Sequence, residues 1–190
     1  DKHFVLLNDT VATLLAGRAE ASGRRFDSYI GFILGTGTNT AYVEQNSKIG
    51  KAKDLDLGDS QIINVESGGF GKAPRGRLDK KFDAASVSPG VNVFEKMISG
   101  AYIGPLCLVT AQAAAKAGLF SKPTAARLAA VEGATTKDFS DFLSRPETGD
   151  NVLSAALAQT YPTTPAADIY RDRLPVKKDH VSGLSLLNSL

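Results

Sequence analysis

The chain has few of the residues that form covalent or metal cross-links. Its 190 residues include one cysteine and two histidines. Cys107 has no partner for an internal disulfide, and its apolar helical context is typical of a reducing compartment, so we predict a cytoplasmic protein. His3 and His180 are isolated from any other histidine or cysteine at metal-ligand spacing, which predicts no metal held by the protein itself.

The chain also lacks an excess of either charge and a long hydrophobic run. Its 22 Lys and Arg nearly balance its 20 Asp and Glu, for a net charge of +2, which argues neither for nor against a nucleic-acid partner. The basic stretch over residues 72–83 is interleaved with Asp79 and Asp83 and has no aromatic pattern, so a solvated loop is favoured over a nucleic-acid surface. No apolar run approaches the roughly 20 residues that cross a bilayer, and no signal peptide is visible. We therefore expect neither a nucleic acid nor a membrane among the partners.

The first third of the sequence is strand-like. Apolar runs predict strands over residues 3–7, 29–34, 40–44 and 61–66, with a helix over residues 10–19. The short glycine-rich interval at residues 35–39 predicts an antiparallel pairing of the second and third strands.

From Pro89 onward the sequence is helical. Apolar residues recur at the helical period over residues 91–117, which predicts one long helix that Gly118 ends. Pro105 predicts a kink near Gly104, because proline has no N–H to donate within the helix. Shorter helices are predicted over residues 124–131, 136–143, 151–159 and 165–173, and residues 184–190 look like a helix cut short. Because the sequence also begins almost directly on a strand, we expect a segment of a longer polypeptide.

Asp9 is the first candidate functional residue. It follows the apolar run Val5-Leu6-Leu7, interpreted as a buried strand, and lies where the first helix begins. Ligand sites in α/β proteins lie beyond the carboxyl ends of strands, where an Asp can act as a general base toward a substrate hydroxyl. An Asp in this place can also be a helix N-cap, and taken alone the stretch favours the cap.

Gly35-Thr36-Gly37-Thr38-Asn39 is the second candidate. Glycines let the backbone approach an anion closely, and exposed N–H groups with threonine hydroxyls can hold a phosphate. The turn is not a P-loop, because the Lys-Ser/Thr ending is missing, and it is not a dinucleotide fingerprint, because no helix follows directly. A glycine-rich hairpin turn accounts for the same residues equally well.

Two glutamates and two amides complete the set. Glu66 ends a predicted strand beside Ser67-Gly68-Gly69, where a carboxylate can either reach a ligand or cap a loop. Glu95 lies in the first turn of the long helix, where the helix dipole alone favours an acid. Asn8 and Asn39 also lie at a helix start or a strand end, and carboxylates and amides in such places suit a polyhydroxylated ligand.

These motifs together resemble the hexokinase family, glucokinase included. Four segments agree with the family in order and spacing: residues 7–11, residues 30–39, residues 63–66 with 69–71, and residues 94–100. The resemblance implies an α/β, ribonuclease H-like (actin-like ATPase) fold, with a mixed sheet followed by a helical half. It also implies a glycolytic kinase that transfers a phosphoryl group from ATP to the 6-hydroxyl of a hexose such as glucose.

The resemblance also implies a role for each candidate residue. Asp9 matches the family's catalytic base, and a positioned carboxylate can take the proton of a sugar hydroxyl as phosphoryl transfer proceeds. The residues that match the sugar-hydroxyl ligands are Asn8, Asn39, Glu66 and Glu95. The residues that match the second phosphate-binding turn are Gly35, Thr36, Gly37 and Thr38. ATP and Mg²⁺ are the implied cofactors, with Mg²⁺ held through ATP and water rather than by a dedicated protein site.

Several features of the family are absent from the sequence. There is no Asp-x-Gly-Gly-Thr phosphate segment, no small-domain segment with its lysine, and no adenosine-binding segment, while Ser67 stands where many members carry Trp. We predict that residues 1–190 form most of one hexokinase-like large domain, with a strand-rich core and the site in residues 1–71 and a helical part in residues 90–190. The implied partners are the hexose, ATP and the small domain of the same polypeptide, and the isolated chain is predicted to have little or no activity.

Two other functions stay open at this point. A non-catalytic sugar-binding or regulatory module would keep the pocket without the kinase reaction, and a structural α/β domain would have no site at all. An Asp-x-Gly-Gly-Thr strand upstream and an adenosine segment downstream in the full gene would favour the enzyme over both.

Overall fold

The computed structural model describes residues 4–144 and 151–158, and the chain divides into two compact units. The first unit takes Asp1–Lys72 and Asn92–Ser99, and the second takes Ala73–Val91 and the residues from Gly100 onward. Glu95 therefore belongs to the same unit as the predicted strands. The assignment of residues 1–190 to one large domain stays a prediction.

The first unit is built on a three-stranded antiparallel sheet. Strand β1 (Ile30–Leu34) pairs with β2 (Thr38–Gln45), and β2 pairs with β3 (Ser60–Asn64), so the strand order follows the chain. A short 3-10 helix, Asn46–Lys48, begins the loop between β2 and β3. The antiparallel pair predicted across residues 35–39 is confirmed, and in the described residues the predicted mixed sheet is represented by these three antiparallel strands.

The strand predicted over residues 3–7 does not form in residues 4–7. Phe4, Val5 and Leu6 are 86, 78 and 100% exposed, and residues 4–8 belong to no strand. An apolar run becomes a buried strand only when a neighbouring strand pairs with its backbone, and no strand of residues 4–144 pairs with this one. The prediction of a buried strand before Asp9 is therefore wrong.

Helix α1 (Asp9–Ala19) packs on the sheet at one close contact. A Cβ atom added to Gly31 of β1 would collide with the carbonyl oxygen of Thr10 and would lie 2.9 Å from Cβ of Leu14. Thr10, Leu14 and Ala41, which lies opposite Gly31 on β2, are almost completely buried. This contact holds the first turn of α1 against the sheet.

Only one face of β1 is covered. The residues Ile30, Phe32 and Leu34 are 70, 51 and 57% exposed, whereas Gly31 between them is buried. The strand predicted over residues 29–34 is confirmed in position, and its apolar side chains are buried on one face only. Alternate residues of a strand point to opposite faces, and α1 covers one of them.

The long helix predicted over residues 91–117 is two separate helices. Helix α3 (Glu95–Ile98) is one turn long, and α4 (Ile103–Lys116) begins after an interruption in which Ser99 is extended. Pro105 is the third residue of α4, where its missing N–H has no helical partner to lose. The kink predicted near Gly104 is therefore wrong: proline marks a helix start here. Gly118, at a φ of +76°, follows the end of α4 as predicted.

The second unit is helical. Helix α2 (Arg77–Ala84) precedes α4, and α5 (Lys122–Ala130), α6 (Thr136–Ser144) and α7 (Val152–Ala158) follow it. Leu108, Val131, Ala134 and Leu153 form the buried core, with Phe139 and Phe142 packed against it. The helices predicted over residues 124–131, 136–143 and 151–159 are confirmed, whereas those over residues 165–173 and 184–190 lie outside the described residues.

Two ionisable groups of the second unit are perturbed by their surroundings. Burial raises the pKa of the Cys107 thiol in α4. Hydrogen bonds from the hydroxyl and the N–H of Thr135, at the start of α6, lower the pKa of Asp138. None of the helices in residues 4–144 and 151–158 combines the length and the apolar character needed to cross a bilayer.

The close contact at Gly31 predicts that a larger residue at this position destabilises the fold. We expect Gly31→Ala to lower the free energy of unfolding by about 1–3 kcal/mol, because the added methyl group meets a backbone oxygen that cannot move without shifting α1. Denaturant titration of the purified chain measures the change.

Gly17→Ala is the matched control for that variant. Gly17 lies within α1 and has no atom within 4 Å of an added Cβ. The same substitution there should raise the free energy of unfolding by about 0.5–1 kcal/mol, because alanine favours a helix over glycine. If both variants changed stability in the same direction, α1 would not be packed at Gly31 as described.

Candidate functional site

The carboxylate of Glu95 is bound into the glycine-rich turn between β1 and β2. The N–H of Thr38 donates to Oε2 of Glu95 over 3.0 Å. A Cβ on Gly37 would lie 2.6 Å from that oxygen, and a Cβ on Gly68 would lie 3.3 Å from it. Glycine is therefore needed at Gly37 for the carboxylate to lie where it does, and a side chain at Gly68 would crowd it.

The 3-10 helix Ser67–Gly69 completes this contact. The N–H of Phe94 donates to the carbonyl of Gly68 over 3.1 Å, and the rings of Phe70 and Phe94 meet edge to face with centroids 6.0 Å apart. The segment that carries Glu95 is thus held beside the segment that follows Glu66.

The side-chain amide of Asn39 is fixed by three hydrogen bonds. Its Oδ1 accepts from the N–H of Thr40 over 2.7 Å and from the N–H of Ser67 over 3.2 Å, and its Nδ2 donates to Oδ1 of Asn64 over 2.7 Å. Both lone pairs of the amide oxygen are therefore in use. One N–H of Nδ2 is left, so Asn39 can act toward a ligand as a donor.

Glu66 is joined to Asn39 through Asn64. Nδ2 of Asn64 donates to Oε1 of Glu66 over 2.5 Å. The backbone of Glu66 has φ 55° and ψ 49°, a left-handed conformation that costs a residue with a side chain roughly 1–2 kcal/mol. Strain of this kind is typical of functional positions. Asn39, Asn64 and Glu66 form a hydrogen-bonded row, called here the amide row, that ends in an exposed carboxylate.

Asn8, rather than Asp9, is the N-cap of α1. Oδ1 of Asn8 accepts from the N–H of Thr10 over 2.9 Å. Asp9 is the first helical residue, and its Oδ1 accepts from the same N–H over 2.8 Å. The interpretation of Asp9 as the cap is wrong, because Asn8 has the extended backbone that a cap residue needs. Asp9 is exposed, and its Oδ2 has no hydrogen bond to the described residues.

The predicted site residues form two groups in the first unit. Glu95, Asn39 and Glu66 lie on adjoining segments that hydrogen bonds connect. Asn8 and Asp9 form a second group at the start of α1, with no hydrogen bond to the first group among the described residues. The contact between Thr10 and Gly31 is what ties this second group to the sheet.

The turn at residues 35–37 closes a hairpin and still has free donors. The N–H of Gly35 donates to the carbonyl of Gly37 over 2.9 Å. Thr38 uses its N–H for Glu95 and its hydroxyl for the carbonyl of Ile33. The N–H groups of Thr36 and Gly37 have no hydrogen-bond partner in the described part of the chain, so they are the donors that the turn can offer to an anion.

Sequence reasoning did not find Asn64 or Ser67. Asn64 bridges two predicted site residues, and Ser67 supplies a backbone N–H to Asn39 and a hydroxyl that lies 2.9 Å from the hydroxyl of Thr40. The two-residue period of a strand could not have found Asn64, because β3 ends at Asn64 and Glu66 has a left-handed backbone. In residues 4–144 and 151–158, no group of three His, Cys, Asp or Glu residues is placed to hold a metal ion.

The tight contact at Gly37 generates a second prediction. We expect Gly37→Ala to displace the carboxylate of Glu95 and to speed hydrogen exchange at the N–H of Thr38, because the added methyl group takes the position of Oε2. The loss of one hydrogen bond to a charged group should raise the exchange rate at this N–H by about tenfold or more. Exchange measured by NMR on the purified chain tests this.

Gly35→Ala in the same turn is the control. An added Cβ there meets only Cγ2 of Ile33, at an ordinary 3.9 Å. Exchange at Thr38 should stay unchanged in this variant. Equal acceleration in both variants would show that the hairpin as a whole loosens and that Glu95 is not the partner of Thr38.

Comparison with known proteins places this chain in a family. A family model for hexokinase matches residues 29–174. The "Hexokinase-like 1 protein" of Arabidopsis thaliana is 43% identical over 102 residues, which cover 53% of this chain and 20% of that protein. "Hexokinase-2" of Oryza sativa subsp. japonica is 43% identical over 109 residues, which cover 55% of this chain and 21% of that protein. The chain spans about a fifth of the length of these curated relatives.

A solved structure agrees in fold. The hexokinase from Schistosoma mansoni, solved in complex with glucose, superposes with a TM-score of 0.60 at 29% identity, covering 82% of this chain and 35% of that one. The predicted ribonuclease H-like (actin-like ATPase) fold class is confirmed. The family match over residues 29–174, supported by both relatives and by the fold, establishes that this chain belongs to the hexokinase family.

Proposed function

We propose that this chain supplies the hexose-binding part of an ATP-dependent hexokinase, which transfers a phosphoryl group to the 6-hydroxyl of a hexose such as glucose. The observation that carries the proposal is the set of fixed polar groups at Asn39, Glu66 and Glu95. Such groups suit a ligand with several hydroxyls, because each hydroxyl both donates and accepts. The glucose complex of the Schistosoma mansoni relative supports a hexose as the ligand class.

In this proposal, the hydrogen bonds that each residue already makes within the protein determine which donors and acceptors it can offer the sugar. Asn39 offers a donor, since its oxygen is already saturated. Asn8 offers its amide N–H groups and the one lone pair of its oxygen that does not cap α1. Glu66 and Glu95 offer carboxylate acceptors. A sugar that lacks one of the matching hydroxyls would leave a donor or acceptor unpaired, which discriminates strongly against it.

Asp9 is the proposed general base. Its Oδ1 is held by the N–H of Thr10, its Oδ2 has no hydrogen-bond partner among the described residues, and it lies in the first turn of α1, a position that suits an acidic side chain. A carboxylate held in this way can take the proton of the attacking hydroxyl during phosphoryl transfer.

The turn at residues 35–37 is the proposed contact for a phosphate of ATP. The N–H groups of Thr36 and Gly37 and the Thr36 hydroxyl fit an anion, because they have no hydrogen-bond partner among the described residues and the turn has no bulky side chain. Thr38 contributes by holding Glu95, since its own donors are already used. When bound, MgATP supplies the phosphoryl group, and we propose that Mg²⁺ is held through the phosphates and water. The small domain of the same polypeptide is the proposed partner.

A non-catalytic hexose-binding module is the second candidate. The observation that favours it is that no hydrogen bond among the described residues joins Asp9 to the amide row, so a site could keep Asn39, Glu66 and Glu95 without a base. Turnover in the full-length native protein separates the two candidates: binding of hexose without any phosphorylation would favour the module.

The role of Asp9 can be tested by Asp9→Asn in the full-length native protein. We expect kcat to fall by about 10²–10⁴-fold, because the amide cannot take the proton, while the Kd for hexose changes little. Steady-state kinetics and calorimetry give the two quantities. Asp54→Asn, the same change at an exposed loop position, should leave both near the wild-type values. Retained turnover in Asp9→Asn would contradict the assignment.

A separate prediction concerns the catalytic activity of the isolated 190-residue chain. We expect it to produce little or no glucose 6-phosphate from glucose and MgATP. Asn8, Asp9 and Glu66 are exposed to water in this chain, whereas phosphoryl transfer to a sugar needs a site from which water is excluded. A coupled assay with the full-length protein as the positive control tests the expectation. Robust product formation by the isolated chain would contradict it.

A further inference from the structure

We propose that Asn64 is a positioning residue of the hexose site, which accepts from one N–H of the backbone-fixed Asn39 amide and orients the Glu66 carboxylate toward sugar hydroxyls. The inference rests on the proposed function and names a determinant of its substrate recognition. Asn64 itself is not proposed to touch the reacting atoms.

The position of Asn64 follows from the sheet register. Asn64 is the last residue of β3 and lies opposite Ala41 on β2, and Asn39 precedes Ala41 by two residues on the same strand. Residues two apart on a strand share a face, and diagonal neighbours on paired strands are within reach of long polar side chains. The antiparallel pairing of β2 and β3 therefore brings two side-chain amides together at the end of the sheet that leads to Glu66.

The side-chain amide of Asn64 accepts one hydrogen bond and donates another. Its Oδ1 accepts from Nδ2 of Asn39 over 2.7 Å, and its Nδ2 donates to Oε1 of Glu66 over 2.5 Å. The amide of Asn39 cannot be turned over, because its oxygen accepts from two backbone N–H groups that a turned amide would meet with its own N–H₂ group. Since Asn39 is fixed, the amide of Asn64 is fixed too, and its N–H₂ group must face Glu66.

The orientation of these amides determines which ligand groups the site can bind. Asn39 is left with one N–H, and Glu66 is left with the lone pairs that Asn64 does not use. A ligand therefore meets a donor at one end of the amide row and an acceptor at the other; the backbone fixes the donor at Asn39, and Asn64 holds the acceptor at Glu66. Without Asn64, Asn39 loses a partner for one of its N–H groups and Glu66 is free to rotate.

The surroundings of Asn64 argue against a purely structural role. The residue is exposed at the end of its strand and caps no helix. The two hydrogen bonds of its side chain go to two proposed sugar ligands. Its replacement should therefore disturb the site more than the fold.

The test uses the full-length native protein with Asn64→Asp and Asn64→Ala. At neutral pH we expect each variant to raise the KM for hexose about tenfold, the usual cost of losing a hydrogen bond to a charged group. The KM for ATP and the midpoint of unfolding should stay near the wild-type values. Gln45→Glu makes the same amide-to-carboxylate change at the far end of β2, exposed and roughly 20 Å along the strand from Asn39, and should change neither KM.

The dependence of KM on pH separates positioning from a general loss of structure. In Asn64→Asp the new carboxyl group lies beside Glu66, so the two ionised groups repel each other at neutral pH and share a proton as the pH falls. The protonated group can donate to Glu66 as the amide did. The KM of this variant should therefore fall toward the wild-type value at acidic pH, relative to wild type at each pH, whereas that of Asn64→Ala should not.

The remaining outcomes decide against the inference. Wild-type turnover with an unchanged hexose KM in both variants would overturn it and leave the proposed function standing. A raised KM with the same pH dependence in both variants would also overturn it, because that pattern needs no oriented donor. A full-length wild-type protein that neither binds nor phosphorylates hexose would overturn the proposed function, and this inference with it.

Discussion

The hydrogen bond between the carboxylate of Glu95 and the N–H of Thr38 is the interaction on which the candidate site depends. It joins segments 57 residues apart in sequence, in a space that two glycines leave open. Thr38 is 6% exposed, so removing the carboxylate would leave a buried donor unpaired, which costs about 1–3 kcal/mol. Asn39 follows Thr38 directly, and Gly68 follows Ser67, the residue whose N–H holds Asn39. The contact at Glu95 therefore supports the orientation of the amide row as well.

The hydrogen bonds that the site residues already make within the protein determine which of their groups can donate to a ligand and which can accept. An isolated asparagine can donate or accept a hydrogen bond, so it could bind a sugar hydroxyl in either orientation. Here the oxygen of Asn39 is used twice by the backbone, and that of Asn8 is used to cap α1. Asn39 is left as a donor and the two glutamates as acceptors, while Asn8 keeps its N–H groups and one lone pair of its oxygen. The specificity that we propose for the site thus comes from the partners of its residues as much as from the residues themselves.

The elements that local sequence determines were predicted, and those that depend on a distant partner were not. The hairpin of β1 and β2 and the helices α5, α6 and α7 follow from glycine turns, helix-entry residues and periodicity, all of which act over a few residues. Residues 4–7 have the composition of a strand but no neighbouring strand in the described chain. The helix predicted over residues 91–117 is interrupted near Ser99, although its apolar period continues. The same distinction holds for the site: motifs identified Asn39 and Glu66, whereas Asn64 became visible only through the register of β2 and β3.

Strand β1 determines how the two groups of the site are related. At Gly31 it contacts the backbone of Thr10, the neighbour of Asp9, and four residues later it leads into the turn with the free N–H groups of Thr36 and Gly37. Four residues of extended strand span about 13 Å. In the proposed reaction the base acts on the sugar hydroxyl and the turn contacts the phosphate donor, so both are anchored to one paired strand. A side chain at Gly31 would move Asn8 and Asp9 relative to the turn while leaving Asn39, Glu66 and Glu95 in place. The absence of a side chain at Gly31 is therefore a requirement of the proposed chemistry as well as of packing.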